Sequence, residues 1–217
     1  MGEVEINVNN RELHIYSTLF FYGDAASDEL SIDIAKDIAD HWNTAHGFVK
    51  IKNIFYDVHF NIEGIYAQTL TPETIFENTD PKNNYFRIEA YATGNISFVD
   101  DIGCNTGYFK LDNLLNNSTT AAHEYGHTIG LLHPKILDIR GKGTPGIMYP
   151  RGSIVDPAFQ YSPVAAPNAP GGTINPFTRK VLQKDIDDLN LHRLSYDNNG
   201  IATIGNFTSI WHDRHLP

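Results

Sequence analysis

His123 and His127 stand four residues apart in the stretch 120–134, TAAHEYGHTIGLLHP, and no other feature so limits what this chain can fold into. Four residues are about one helical turn, so both imidazoles leave one face of a helix and can reach a single ion. His133 follows six residues after His127, beyond Gly130, where a bend can swing the chain back toward that ion. Zinc takes four ligands, and three histidines leave one position for water, which is the arrangement of a catalytic rather than a structural site. Glu124 adjoins the first ligand and can take the proton of that water and hand it to a leaving amine. The bland alternative is an amphipathic helix whose histidines face solvent.

A scaffold must surround such a helix, and the flanking patterns supply one. Residues 12–22 (ELHIYSTLFFY) are rich in β-branched and aromatic side chains and end at Gly23, which predicts a buried strand. A helix follows, capped by Ser27, with Asp28 and Glu29 in its first turn and Leu30, Ile34, Ile38 and Trp42 on one face. Gly47 is the expected stop. Strand patterns return at residues 49–66, 85–92, 96–99 and 108–111. A second helix is expected from residue 118 or 119 to 131, with Gly130 near its sharp end.

Residues 134–177 hold most of the chain's eleven prolines and little periodicity, which predicts a long irregular loop of functional rather than linker character. A third helix is expected over 178–191 (TRKVLQKDIDDLNL), and Asp197-Asn198-Asn199-Gly200 reads as a tight turn. Strand, helix, several strands and further helices imply an α/β (α+β) fold, a mixed sheet covered by helices. The expected organisation is one unit over 1–217, with an N-terminal part (1–133) and a C-terminal part (134–217).

The formal charge of −10 and the absence of any basic run argue against a nucleic-acid partner. No run of about 20 apolar residues suggests a membrane span, and the opening Met-Gly-Glu-Val-Glu has no signal-peptide pattern. The single cysteine, Cys104, excludes an internal disulfide framework.

The spacing H-E-x-x-H-x-x-G-x-x-H at residues 123–133, with Gly146-Ile147-Met148-Tyr149-Pro150 beginning 13 residues later, resembles the metzincin metallopeptidases and their methionine turn. The turn resembles that of the matrixins, and Pro134 after the third histidine is similar to the serralysins. The helix VLQKDIDDL resembles the matrixin C-terminal helix. Pro150 occupies the position at which serralysins and astacins carry a tyrosine that approaches the zinc. No glycine-and-aspartate repeats follow.

The resemblance implies a twisted, mostly parallel mixed sheet with a backing helix and an active-site helix, above a small irregular C-terminal part with one helix. It implies one catalytic zinc on His123, His127 and His133, with Glu124 as general base and Met148 as an apolar floor. It places a cleft-lining edge strand within residues 94–101, so that Asn95, Ile96 and Ser97, with Tyr149 and Pro150 beside the zinc, are candidate substrate contacts. Asp100 and Asp101 are candidates for a structural Ca2+. The implied activity is zinc-dependent hydrolysis of internal peptide bonds in a protein or peptide substrate, by an exported or secreted monomer. The alternative is a zinc-bound single-target toxin or effector, or a protein-binding module that turns over poorly.

Other signals have plainer readings. His212 and His215 read as a solvated tail, and Cys104 as a buried or loop thiol rather than a zinc-blocking one. Asn95, Asn116, Asn117 and Asn206 each begin an N-x-Ser/Thr triplet, for which chance occurrence is preferred.

Overall fold

The computed structural model describes residues 1–115 and 118–216 of the chain, so the triplets at Asn116 and Asn117 lie outside the described residues. The expected mixed α/β architecture is present. Strand β2 (Glu12–Tyr22) is its axis. Its side chains alternate between buried and half-buried from Leu13 to Phe21, the two-residue period of a strand with one face on the core.

β2 lies parallel to β4 (Ile54–Tyr66) along one edge. Along the other edge it splits its partners. β1 (Gly2–Asn7) runs antiparallel to its first half, and β5 (Asn83–Glu89) runs parallel to its second half. The sheet continues through β3 (Phe48–Ile51), β6 (Phe98–Val99) and β7 (Thr106–Lys110) in the order β3-β4-β2-β5-β7-β6. β8 (Ile201–Ile204) pairs antiparallel with the outer edge of β1. Thus the central strands β4, β2, β5 and β7 are parallel, and the antiparallel pairings lie around them.

The backing helix α1 (Asp28–Asn43) starts as its sequence dictates, with the Ser27 hydroxyl accepting from Leu30 N at 3.2 Å. It buries Ile34, Ala35, Ile38 and Trp42 against the sheet. Its end differs from expectation. The helix is capped at Thr44, and the left-handed residue in the connection is His46 (φ 45) rather than Gly47. The hairpin β3–β4 turns at Lys52 and Asn53, both with positive φ.

Two further elements are shorter than the patterns predict. After α2 (Pro72–Phe76), the helix α3 spans Thr120–Thr128. The third expected helix shrinks to α4, Gln183–Asp188, because Lys180 is drawn into extended pairing with Gly146, and its N–H bonds Pro145 O at 3.0 Å. The loop over 134–177 is irregular as expected, yet it has a small core of its own, Ile139, Val155 and Ile174, with Tyr149 and Phe159 packed against it. Asp197 forms the predicted tight turn, its carboxylate accepting from Asn199 N and Ile201 N at 2.8 Å each.

The segment after β8 is not a solvated tail. Trp211 stacks on Tyr22 at 4.9 Å, and His215 stacks on Tyr108 at 4.0 Å. His212 Nε2 bonds the Asp100 carboxylate at 2.9 Å. The rings of Tyr22, at the end of β2, and Tyr108, in the middle of β7, give this segment something apolar to cover, which is why its histidines leave solvent.

Candidate metal centre

Helix α3 carries the first two histidines, and all nine of its residues are buried. A helix buried all round has no solvent stripe, so its position is set by specific anchors. Trp42 Nε1 of α1 donates to Ala122 O at 3.0 Å, and the hydroxyls of Tyr125 and Ser17 of β2 bond at 2.9 Å. The helix therefore hangs between the backing helix and the axial strand.

Its end explains the spacing of the motif. Gly130 adopts φ +99, and Leu131 N bonds back to Gly126 O at 2.9 Å, closing the helix with a left-handed turn. That turn brings Leu131 O within 2.7 Å of His127 Nδ1 and carries His133 round to face the other two rings. Nε2 of His133 lies 3.0 Å from Nε2 of His123 and 3.0 Å from Nε2 of His127.

Proton positions follow from this geometry. His123 Nδ1 lies 2.7 Å from Ile147 O and His127 Nδ1 lies 2.7 Å from Leu131 O, so each Nδ1 carries the proton and donates. Both Nε2 atoms are then bare lone pairs aimed at a third ring nitrogen. A proton on His133 Nε2 or a metal ion among the three satisfies these lone pairs, and ligating histidines show this same pairing of the far nitrogen with a carbonyl. Burial holds His123 well below the ordinary imidazole range, with the Arg179 charge adding to it. Burial likewise lowers His127 and His133. Neutral imidazole is the ligating form, so the three histidines fit a metal ion. Among the described residues this is the one group of three or more His, Cys, Asp or Glu side chains placed to hold a metal.

Met148 is buried against helix α3 at Gly126. A Cβ added at Gly126 would come within 2.3 Å of its sulfur, so the glycine between Tyr125 and His127 is what lets the methionine approach the helix. Glu124, 8% exposed, is pushed up to about 8 by burial, partly offset by the Arg179 charge and by the backbone N–H of Val99. A divalent cation on the neighbouring histidines acts in the same direction as Arg179, favouring the carboxylate.

No family model and no curated protein matches the sequence. Among solved structures the chain is similar to archaemetzincin from Methanopyrus kandleri. The identity is 15% over 57% of this chain and 78% of that chain, and the TM-score is 0.34. A likeness at that level carries no weight for function.

The remaining sequence candidates divide. β6 is the terminal strand of the sheet order, with Asn95 and Ile96 exposed beside it, whereas Ser97 is buried and its hydroxyl accepts from Lys110 N at 3.0 Å. Tyr149 and Pro150 are half-buried just past Met148. Asp100 is engaged by His212 and by the Thr106 hydroxyl, and Asp101 caps Ile102 N at 2.7 Å, so neither stands in a cluster of metal-binding size. Cys104 is buried, and its thiol is pushed up chiefly by that burial.

Two residues at the site were not singled out from sequence. Asp185 accepts from Leu182 N at 2.8 Å and from the backbone N–H of Ile147, the residue whose carbonyl orients His123. Arg179, 5% exposed, donates from Nε to Thr119 Oγ1 at 2.9 Å and from Nη1 to Tyr149 O at 3.0 Å. Its Nη1 also lies 3.0 Å from His123 Nδ1. Because that nitrogen's proton is committed to Ile147 O, the approach is a packing contact and not a hydrogen bond.

Proposed function

We propose that this chain is a zinc-dependent endopeptidase of metzincin type, cutting internal peptide bonds of a protein or peptide substrate and acting as an exported protein. The observation that carries this reading is the convergence of three Nε2 atoms, those of His123 and His127 bare, with a buried carboxylate, Glu124, on the residue next to the first of them. His123, His127 and His133 would hold the ion, which when bound supplies a polarised water and a Lewis acid for the scissile carbonyl.

Glu124 accepts the proton of the attacking water and returns it to the departing amine, a role that suits a carboxylate kept from bulk solvent. Ile147 O and Leu131 O fix the two helical imidazoles in the ligating tautomer. The outer edge of β6 offers backbone groups to which an extended peptide adds antiparallel, beside Asn95 and Ile96. Tyr149 and Pro150 wall the space next to the metal.

The test is a comparison of wild type with Glu124→Ala. Elemental analysis is expected to find one zinc in each, while cleavage of casein or a quenched peptide library falls by about 10²-fold or more in the variant, the general-base contribution. Full activity in Glu124→Ala overturns the mechanism. A wild type that holds one zinc yet cuts nothing in a broad library supports a single-target effector or a binding module instead.

A further inference from the structure

The guanidinium of Arg179 lacks a counter-charge of the kind that buried arginines ordinarily have. No carboxylate among the described residues lies within 4.0 Å of it. Arg87 shows the usual solution, with its Nη2 2.6 Å from a Glu89 oxygen. Arg179 instead spends Nε on Thr119 Oγ1 and Pro176 O, and Nη1 on Tyr149 O. Its Nη2 has no hydrogen-bond partner among the described residues. Nor is it sealed in, since the one sealed and unpartnered side-chain atom there is Gln160 Oε1.

The surroundings make an anion more welcome still. Arg151, exposed on the segment after Pro150, is near enough for its positive charge to act on Arg179. The guanidinium packs at Nδ1 of His123, so one imidazole ring separates it from the Nε2 that faces the other two histidines. Glu124 is the negative charge that reaches it, and a divalent ion on the histidines competes for that charge.

We propose that Arg179, with Arg151 at the rim, forms a recognition site for a carboxylate of the bound peptide. The enzyme then favours an acidic side chain, or a free C-terminal carboxylate, close to the bond it cuts. The two N–H groups of Nη2, on the open side of the planar guanidinium fork, are the donors left for a carboxylate. This rests on the peptidase reading for its substrate class, but the recognition step can be measured without catalysis.

Four peptides identical except at one position near the cut, carrying Glu or Gln and ending in a free or amidated carboxyl group, separate the two sources of carboxylate. Binding to zinc-loaded Glu124→Ala protein is measured by calorimetry, and cleavage by wild type in parallel. Glu over Gln, or free over amidated terminus, is expected to win by about tenfold or more in both assays, as befits a charge-assisted contact. Arg179→Gln is expected to erase that ratio, the loss falling most on the carboxylate-bearing peptides and least on the Gln amide peptide, and Arg151→Gln to reduce it by a smaller factor.

A purely structural Arg179 predicts the opposite pattern, a lowered melting temperature and equal losses on all four peptides. Should Arg179→Gln fail to fold, Arg179→Lys keeps the charge without the fork, and the wild-type ratio alone remains decisive. Equal affinity for all four peptides in the wild-type site, or an undiminished ratio in folded Arg179→Gln, overturns the proposal. Discrimination in binding with no cleavage by wild type upholds carboxylate recognition and removes the peptidase reading instead.

Discussion

Helix α3 and the segment 134–182 both deliver groups to the same ring of histidines, and they hold them by opposite means. α3 is a regular element sunk in a large core, fixed by Trp42, Tyr125 and the sheet. The segment has a core of three buried aliphatic side chains and relies on side chains reaching for backbone groups: Asp185 for Leu182 and Ile147, Arg179 for Tyr149. Periodic backbone lets one face bring several ligands at once. Irregular backbone must be tied down one peptide group at a time, and here the ties are ionisable residues.

The contrast breaks first at Trp42, where the regular half has most to lose. Trp42→Ala removes a fully buried ring and the bond to Ala122 O, and is expected to cost about 3–5 kcal/mol in a denaturant titration. A cost under about 1 kcal/mol would mean that α3 is not anchored through α1.

In the irregular half, charge rather than volume is at stake. Burial pushes Asp185 up to about 6, above the ordinary aspartate value near 3.8, so the fold disfavours its ionised form. A carboxyl whose folded pKa is raised contributes fully below its unfolded pKa, and that contribution drains away as pH rises from about 4 to about 6. Melts of wild type and Asp185→Asn across that window should therefore show wild type losing about 2–3 kcal/mol relative to the variant. The reverse trend would show that the Leu182 and Ile147 N–H groups outweigh burial.

The seam between the halves is the smallest target. Gly126→Ala presses a methyl group against the buried Met148 sulfur and is expected to cost about 1–3 kcal/mol. An unchanged unfolding midpoint would mean that Met148 moves aside freely, and that the packing between it and α3 is soft.

This same division governs what could be read from sequence. β2 and α1 declare themselves because alternation and a four-residue recurrence are direct consequences of burying one face, and the two strand ends and the Ser27 cap fall where expected. The three histidines and Gly130 were legible because one helical turn and one left-handed residue fix their geometry. Arg179 was hidden inside a run, Thr-Arg-Lys-Val-Leu, that reads as the first turns of a helix, and nothing in the letters distinguishes a buried arginine from a solvated one. The length of α4 was misread because Lys180 pairs with Gly146, a partner 34 positions away that no local window contains. Strand β1 was passed over although Glu3, Val4, Glu5 and Ile6 alternate as a half-buried strand should, because the run is short and half of it is glutamate, a residue depleted in strands. The turn at Lys52 and Asn53 lacks the usual glycine, and so gave no hairpin signal.

Strand β1 is also where time enters. Its inner edge finds β2 within a few residues, but its outer edge is closed by β8, with Glu3 opposite Thr203. At synthesis rates of roughly 5–20 residues per second, that edge waits on the order of 10–40 s for its neighbour to be made. During the wait its N–H and C=O groups are an open template for other chains, and the charged side chains of Glu3 and Glu5 are the guard a sheet margin needs against aggregation.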